Sequence, residues 1–207
     1  MCWERKQFFL LGFVFILMLT GCATSDQNEK TSDRLQVYTT IYPLEYFAKR
    51  VGGKRVQVKN LVPIGTDSHD YEPSPKDLTR LAESDLLIYN GSNFEPWIEK
   101  VQHLLDEKQM VNATHSLSLL HSEEEEESDH HHNSTNPHVW LDPQLAKKQA
   151  EQIKNGLVRV DPKSQQYYEA NYRQLANEFD RLDLEFRDAI KQKKTDKIVV
   201  SHDAFAY

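Results

Sequence analysis

Three histidines occupy comparable positions along the chain and have the chemistry of metal ligands. His69 lies in the loop-like segment GTDSHDYEPSP, His138 begins the apolar stretch HVWLD, and His202 follows the apolar run KIVV. They are about 65 residues apart, so only a folded cleft could bring them together. Neutral imidazoles suit Zn²⁺, and three of them leave one position of a tetrahedron open. The three residues are therefore a candidate zinc site.

The acidic and histidine-rich run from residue 121 to 136 is a second group of possible ligands. It has no apolar periodicity, which predicts a disordered loop. Two interpretations remain open: a solvated loop without function, or weak and exchangeable capture of zinc. Because a disordered loop loses entropy when it binds, each of its sites should be much weaker than a fixed three-histidine site. The histidines assigned to weak capture are His121, His130, His131 and His132.

Four other side chains are weaker candidates for metal ligands. His103 lies in a helical pattern and His115 lies near a turn, where a solvated or locally bonded histidine is the ordinary case. Asp70 and Glu72 follow His69 closely, and we expect them to shape the loop rather than bind the metal.

Composition excludes several other kinds of protein. The chain has 25 basic and 32 acidic residues and a net charge of −7, which disfavours nucleic acid as a partner and favours the attraction of cations. It has two cysteines, of which Cys2 would leave with an export signal. No pair then remains for a disulfide, and a lipidated Cys22 offers no thiolate to a metal.

The N-terminus has the pattern of an exported lipoprotein. Its apolar run from residue 8 to 19 has 12 residues, too short for a stable membrane-spanning helix, and basic residues precede it. The motif LTGC resembles the bacterial lipobox, in which Cys22 is lipidated and becomes the new N-terminus. We therefore expect a soluble folded part that is extracytoplasmic and anchored to the bacterial cell membrane by lipid. The predicted segments are a lipoprotein signal peptide at 1–21 and a flexible tether at 22–34.

Short apolar runs alternate with helical patterns between residues 35 and 114. This alternation predicts an α/β lobe with a parallel sheet covered by helices on both faces. Ligands of such sheets usually lie beyond the carboxyl ends of the strands, where His69 falls. Strands are predicted at 35–41, 56–62, 85–90 and 110–114, and helices at 43–53, 75–84 and 95–106.

The second half of the chain is predicted to be mainly helical. HVWLD at 138–142 is strand-like, and a helix is predicted from 143 to 160. An amphipathic helix follows from 162 to 193, with apolar residues at three- and four-residue spacing. At about 1.5 Å per residue it would span roughly 45 Å, enough to connect two lobes. KIVVS at 197–201 predicts a new strand, and we expect a fragment that ends soon after a second lobe begins.

Three segments carry a resemblance to a known family. GTDSHDYEPSPKDL, NPHVWLDP and VVSHDAFAY, in this order and at these intervals, resemble the signature segments of the zinc-type, cluster A-I solute-binding proteins of ABC importers. The resemblance extends from about residue 35 to the last residue. It implies two α/β lobes joined by one long rigid helix, with the metal held between them. The implied domains are an N-terminal lobe at 35–160 with the loop at 121–136, a linker helix at 161–194 and the incomplete start of a C-terminal lobe at 195–207.

The resemblance also implies a site and a partner. The metal histidines of the family correspond to His69, His138 and His202, and manganese-carrying relatives typically have a glutamate in place of the third. Nitrogen at that position fits borderline Zn²⁺ better than the harder Mn²⁺. The expected activity is that of a monomeric protein that captures Zn²⁺ and delivers it to an ABC transporter permease. Whether the fourth ligand is a carboxylate of the second lobe or water stays open.

Two other classes of function compete with transport. A secreted zinc hydrolase could use the same three histidines and an open position, but the sequence lacks a local metal motif with a general base such as HExxH, so we expect no enzyme. A surface adhesin, a role sometimes attributed to relatives, is neither supported nor excluded by the residues.

Overall fold

The computed structural model describes residues 34–121, 135–195, 197–202 and 204–207. The predicted signal peptide, the tether up to residue 33 with Cys22, and most of the acidic insertion, with His130, His131 and His132, lie outside the described residues. Among the helices of the described part, none has the length and apolar character needed to cross a membrane.

A four-stranded parallel sheet forms the centre of the lobe. The strand order is β2-β1-β3-β4, and Val37 of β1 lies between Val58 of β2 and Leu86 of β3. Parallel neighbours need crossover connections, and helices make most of them here. The α/β fold class is therefore confirmed. The strands are β1 (Leu35–Thr39), β2 (Val56–Asn60), β3 (Leu86–Tyr89) and β4 (Met110–Asn112).

Five α-helices cover the sheet, and their starts follow local sequence signals. In the second helix the Ser74 side chain accepts from the main-chain N–H of Asp77, whose carboxylate accepts from Ser74 in return. In the fourth helix the Asp142 carboxylate accepts from the N–H of Leu145 at 2.7 Å. The helices are α1 (Tyr42–Gly52), α2 (Pro75–Ala82), α3 (Ile98–Val101), α4 (Pro143–Val160) and α5 (Gln165–Ile190).

Both faces of the sheet are buried. Leu86 and Ile88 of β3 point into a core shared with α1, α4 and α5, while Leu87 between them points into a core shared with Trp97. Leu86, Leu87 and Ile88 all have no exposed surface. A strand that buries successive side chains on opposite faces belongs in the middle of a layered α/β lobe.

The long helix α5 is packed on the lobe only up to about Phe179. This N-terminal part buries Tyr168, Leu175 and Phe179 in the core. Farther along, Leu184 and Phe186 are 62% and 52% exposed. The amphipathic pattern therefore continues beyond the part of the helix that packs on this lobe.

Two predicted strands are absent from the described residues. Val139–Leu141 form one turn of 3-10 helix, in which the N–H of Leu141 donates to the carbonyl of His138 at 3.2 Å. The segment 197–201 has no strand assignment, and Ile198 is 72% exposed. A strand needs a neighbour for its ladder of hydrogen bonds, and no described strand pairs with this segment.

The remaining differences concern the ends of helices. The helix predicted at 143–160 is confirmed. The helix predicted at 95–106 is shorter and continues as 3-10 helix. The long helix begins with a 3-10 turn. The 3-10 segments are Gly53–Arg55, Gln102–Leu104, Glu107–Gln109, Val139–Leu141 and Pro162–Ser164.

Candidate metal centre

The structure brings the three predicted histidines together. One ring nitrogen from each of His69, His138 and His202 lies within 4.8 Å of the others. The Nε2 atoms of His138 and His202 are 2.9 Å apart, and the ring of His69 lies 5.6 Å from each of the other two rings, between centroids. Residues far apart in the sequence therefore form one compact cluster of imidazoles.

His69 is presented by the loop between β2 and α2. Its main-chain N–H donates to the Asp67 carboxylate at 2.9 Å, and its ring lies 4.4 Å from the ring of Phe94, between centroids. The capping box at Ser74 fixes the end of this loop. Glu72 pairs with Lys100 at 2.7 Å, a contact that ties the loop to α3.

His138 is the buried member of the cluster, with 6% of its surface exposed. The side-chain oxygen of Asn136 accepts the main-chain N–H of His138 at 3.0 Å and lies 2.9 Å from its ring Nδ1. Because that oxygen acts as an acceptor, Nδ1 must carry the proton that points to it. The lone pair of a neutral His138 ring is then on Nε2, the atom that faces His202.

An aromatic wall borders the cluster. Phe94, which is 4% exposed, lies 4.4 Å from His69 and 6.1 Å from His138, and Trp140 lies 5.2 Å from His138, all between ring centroids. Apolar groups beside polar ligands exclude water and strengthen the electrostatic interactions of the site. Phe94 was not among the predicted site residues, and its one local signal is its place in the turn NGSNFEPW after a predicted strand.

A buried carboxylate holds the loop that carries Phe94. Glu95 accepts the main-chain N–H groups of Asn90 and Gly91 at 2.8 and 3.0 Å, and it also accepts the hydroxyl of Thr40. Burial raises the pKa of Glu95, although its hydrogen bonds act in the opposite direction. Gly91 has a φ of 86°, and a Cβ there would lie 2.2 Å from the Asn112 side chain, so the turn requires glycine.

A second buried contact joins this loop to the residue before His138. The Asn90 side chain donates to the carbonyl of Pro137 at 3.0 Å, and Gln149 of α4 donates to Asn90 at 2.9 Å. Asn90 and Gln149 have no exposed surface. The supports of His69 and His138 are therefore parts of one connected network.

The other predicted histidines lie elsewhere. His103 and His115 line a separate cavity of about 630 Å³ beside β4. His121 is exposed and forms an isolated antiparallel bridge with Thr135, so it marks the base of the insertion. Asp70 is exposed and is not a member of the described cluster.

The geometry suits a tetrahedral metal ion after a small movement. Zn–N bonds of about 2.0 to 2.1 Å place two ligand nitrogens roughly 3.3 Å apart. The His138–His202 pair, at 2.9 Å, has to open by only a few tenths of an ångström. With Nδ1 of His138 protonated, Nε2 of His202 donates to Nε2 of His138 in the neutral pair; to bind a metal ion through Nε2, a neutral His202 would carry its proton on Nδ1 instead.

Comparison with known proteins gives a consistent family. The family model described as "Zinc-uptake complex component A periplasmic" (ZnuA) matches residues 37–207. The chain is 32% identical to the high-affinity zinc uptake system protein ZnuA of Bacillus subtilis, over 96% of this chain and 66% of that protein. It is 34% identical to the zinc-binding lipoprotein AdcA of Streptococcus pneumoniae, over 98% of this chain and 42% of that protein.

A solved structure supports the same relationship. The crystal structure of Zn(II)-bound AdcA from Streptococcus pneumoniae superposes with a TM-score of 0.75 and 32% identity, covering 84% of this chain and 36% of that one. The chain thus spans less than two thirds of the length of these relatives. With a match over nearly all of its described residues, the chain belongs to the family of zinc-uptake complex component A proteins.

Proposed function

We propose that this chain is the zinc-capturing, solute-binding component of an ABC importer, which binds Zn²⁺ through His69, His138 and His202. The observation that carries the proposal is the convergence of three ring nitrogens within 4.8 Å, with Nε2 of His138 directed into the cluster. The names of the relatives, a zinc uptake protein and a zinc-binding lipoprotein, support zinc as the cargo.

The donor atoms favour zinc over harder cations. Three neutral imidazoles suit a borderline ion, whereas Mg²⁺, Ca²⁺ and Mn²⁺ prefer oxygen ligands. The net charge of −7 also attracts cations to the protein. A capture protein needs tight binding, and a nanomolar dissociation constant corresponds to about −12 kcal/mol.

The proposed partner is an ABC transporter permease, to which a monomer delivers the ion. The LTGC motif and the lipoprotein relative support lipidation at Cys22 and an extracytoplasmic, membrane-anchored location. Membership of a family described as a zinc-uptake component supports transport rather than catalysis.

The proposed domain organisation includes the start of a second lobe at 195–207. Exposed apolar side chains near the end of α5 and after it support this proposal, because such surfaces usually mark contacts with another structural unit. They belong to Leu184, Phe186, Ile190, Ile198 and Val199. α5 would then act as the linker helix, and a fourth ligand would come from that lobe or from water.

The insertion at 121–136 is proposed to be an accessory collector of zinc. His121, His130, His131 and His132 and the neighbouring carboxylates would bind ions weakly close to the three-histidine site. The bridge between His121 and Thr135 supports this arrangement, because it places the ends of the insertion side by side.

A competition titration tests the proposal. Zinc affinity is measured against a fluorescent chelator for the full-length protein and for His69→Ala, His138→Ala and His202→Ala. The exposed His103→Ala, in the separate cavity, is the matched control. We expect each of the three variants to bind zinc at least a hundredfold more weakly and the control to bind normally, since the roughly 10 to 16 kcal/mol of a structural zinc site is shared among its few ligands. Unchanged affinity in all three variants would overturn the assignment.

A further inference from the structure

Three segments around the site meet at Asn136, those that carry Leu120, His138 and Tyr207. It is 2% exposed, and its side chain accepts both the main-chain and the ring N–H of His138. Its own main-chain N–H donates to the carbonyl of Leu120 at 2.8 Å, across the base of the insertion. The main-chain carbonyl of Asn136 accepts the hydroxyl of Tyr207 at 2.7 Å.

Tyr207 connects Asn136 to the segment that carries His202. Its hydroxyl donates to the carbonyl of Asn136 and accepts the main-chain N–H of Leu120 at 3.1 Å, so it bridges the two chain segments at the base of the insertion. It follows His202 by five residues, and between them the N–H of Ala204, itself 6% exposed, donates to the carbonyl of His202 at 2.9 Å. The segment that carries His202 is thus fastened to the residue that orients His138.

We propose that Asn136 and Tyr207 form a polar clasp that positions His138 and His202 for zinc, with Asn136 setting the tautomer of His138 and Tyr207 holding the His202 segment in reach. This inference rests on the proposed function, because it concerns how the same site is preorganised. A hydrogen bond from the ring nitrogen that does not bind the metal fixes the orientation of a ligating histidine, and its loss typically weakens metal binding 10- to 100-fold. Holding two ligands before the ion arrives also lowers the entropy lost on binding.

The chemistry of the phenol suits this role. Partial burial raises the pKa of Tyr207 above the ordinary tyrosine value of about 10. The hydroxyl therefore keeps its proton across the physiological range and remains a donor to Asn136. Phenylalanine at this position would fill the same space and remove only the two hydrogen bonds of the clasp.

The test compares Tyr207→Phe, Asn136→Ala and Asn136→Asp in the full-length protein, with zinc as the probe. Affinity is measured by chelator competition and zinc release by stopped flow. Tyr46→Phe is the matched control, because its hydroxyl bonds Arg50 within α1. We expect about 10- to 100-fold weaker binding for Asn136→Ala and about fivefold faster release for Tyr207→Phe. Asn136→Asp keeps the acceptor, so its affinity should remain within about threefold of the wild type.

A spectroscopic measurement separates positioning from general destabilisation. Long-range ¹H–¹⁵N NMR of the metal-free protein should show His138 protonated on Nδ1 in the wild type and in Asn136→Asp, and a mixture of tautomers in Asn136→Ala. Normal affinity, release rate and tautomer in Asn136→Ala and Tyr207→Phe would overturn the clasp.

The clasp and the zinc site itself can fail independently. If His138→Ala abolishes tight binding while both clasp variants bind and release zinc normally, the clasp alone is wrong. If His138→Ala also binds normally, the zinc site is wrong, and the clasp falls with it. A poorly folded Asn136→Ala leaves Tyr207→Phe to decide, since that variant deletes a single oxygen atom.

Discussion

His138 and His202 are neighbours in the site but are supported very differently. His138 is 6% exposed and lies against Asn136, Phe94 and Trp140. His202 is exposed and follows a segment in which Ile198 is 72% exposed. One ligand thus belongs to the packed lobe, and the other is held by its contact with the first and by the residues after it. The packed half of the site is therefore His138 with its aromatic neighbours, and the exposed half is His202 with its segment, which Tyr207 holds in reach of the first.

The largest expected effect tests this asymmetry directly. His138→Ala should lower zinc affinity by about a thousandfold or more, because the substitution removes the most rigidly preorganised ligand of the site. His202→Ala should cost about a hundredfold, because His202 is exposed and is held by fewer contacts than the buried His138. Isothermal titration with a competing chelator measures both. Equal losses would show that the two ligands are equally preorganised.

The next largest effect is expected when a residue that supports the packed half is replaced and the ligands are left unchanged. Glu95→Ala leaves three buried or partly buried donors, from Thr40, Asn90 and Gly91, without their acceptor. We expect a loss of about 3 kcal/mol in the free energy of unfolding, measured with urea. The exposed Glu99→Ala in α3 is the control and should change stability by less than about 0.5 kcal/mol. A small effect of Glu95→Ala would mean that the network around Phe94 does not hold this half of the site.

A smaller effect is expected where α5 meets α1. Arg50 donates to Glu178 at 2.6 and 2.8 Å, and this hydrogen bonding holds the pKa of Glu178 below its usual range. A depressed carboxyl pKa contributes stability above the unfolded value of about 4.3, and this contribution is lost as pH falls through the native pKa. Glu178→Gln should therefore cost about 0.5 kcal/mol at pH 7, a modest value because the pair is partly exposed, and less at pH 3, which lies below the unfolded pKa.

Urea titrations of the wild type and Glu178→Gln at the two pH values measure this difference. A cost that is equal at pH 7 and pH 3 would exclude the charge of Glu178 as its cause. α5 leads to the segment that carries His202. The zinc affinity of Glu178→Gln therefore also shows whether the exposed half of the site depends on the packing of α5 against α1.

The smallest effect on the tight site is expected from the insertion. Deletion of residues 122–134 keeps the His121–Thr135 bridge and the contacts of Asn136. The number of weakly bound zinc ions should fall, because His130, His131 and His132 are removed, while the tight site keeps its affinity. Equilibrium dialysis with zinc counts both classes. Loss of the tight site on deletion would show that the insertion, and not the three-histidine cluster alone, holds the tightly bound zinc ion.

The sequence predicted the elements whose signals are local. The helix at 143–160 has an N-cap at Asp142 and an unbroken apolar period, and the strands of the sheet are short apolar runs. HVWLD and KIVVS are also apolar runs, but a strand requires a neighbouring strand, and composition alone does not report one. The predicted strands at these two places were wrong for that reason.

The same distinction applies to the site. His69, His138 and His202 were predicted as ligands from their positions in signature segments, and the structure places them together. Their supports were missed, because the contacts of Glu95 and Tyr207 join residues 55 and 71 positions apart. Only Asn136, two residues before His138, had a local signal, since asparagine side chains often accept the N–H two residues on.

The central claim is that zinc is held by three histidines, and the most direct measurement is a crystal structure of the full-length zinc-loaded protein with anomalous data at the zinc edge. The account predicts one strong peak about 2.0 to 2.1 Å from Nε2 of His138 and from a ring nitrogen of each of His69 and His202. A tightly bound zinc ion at another place in the structure, or one that His138 does not coordinate, would contradict it.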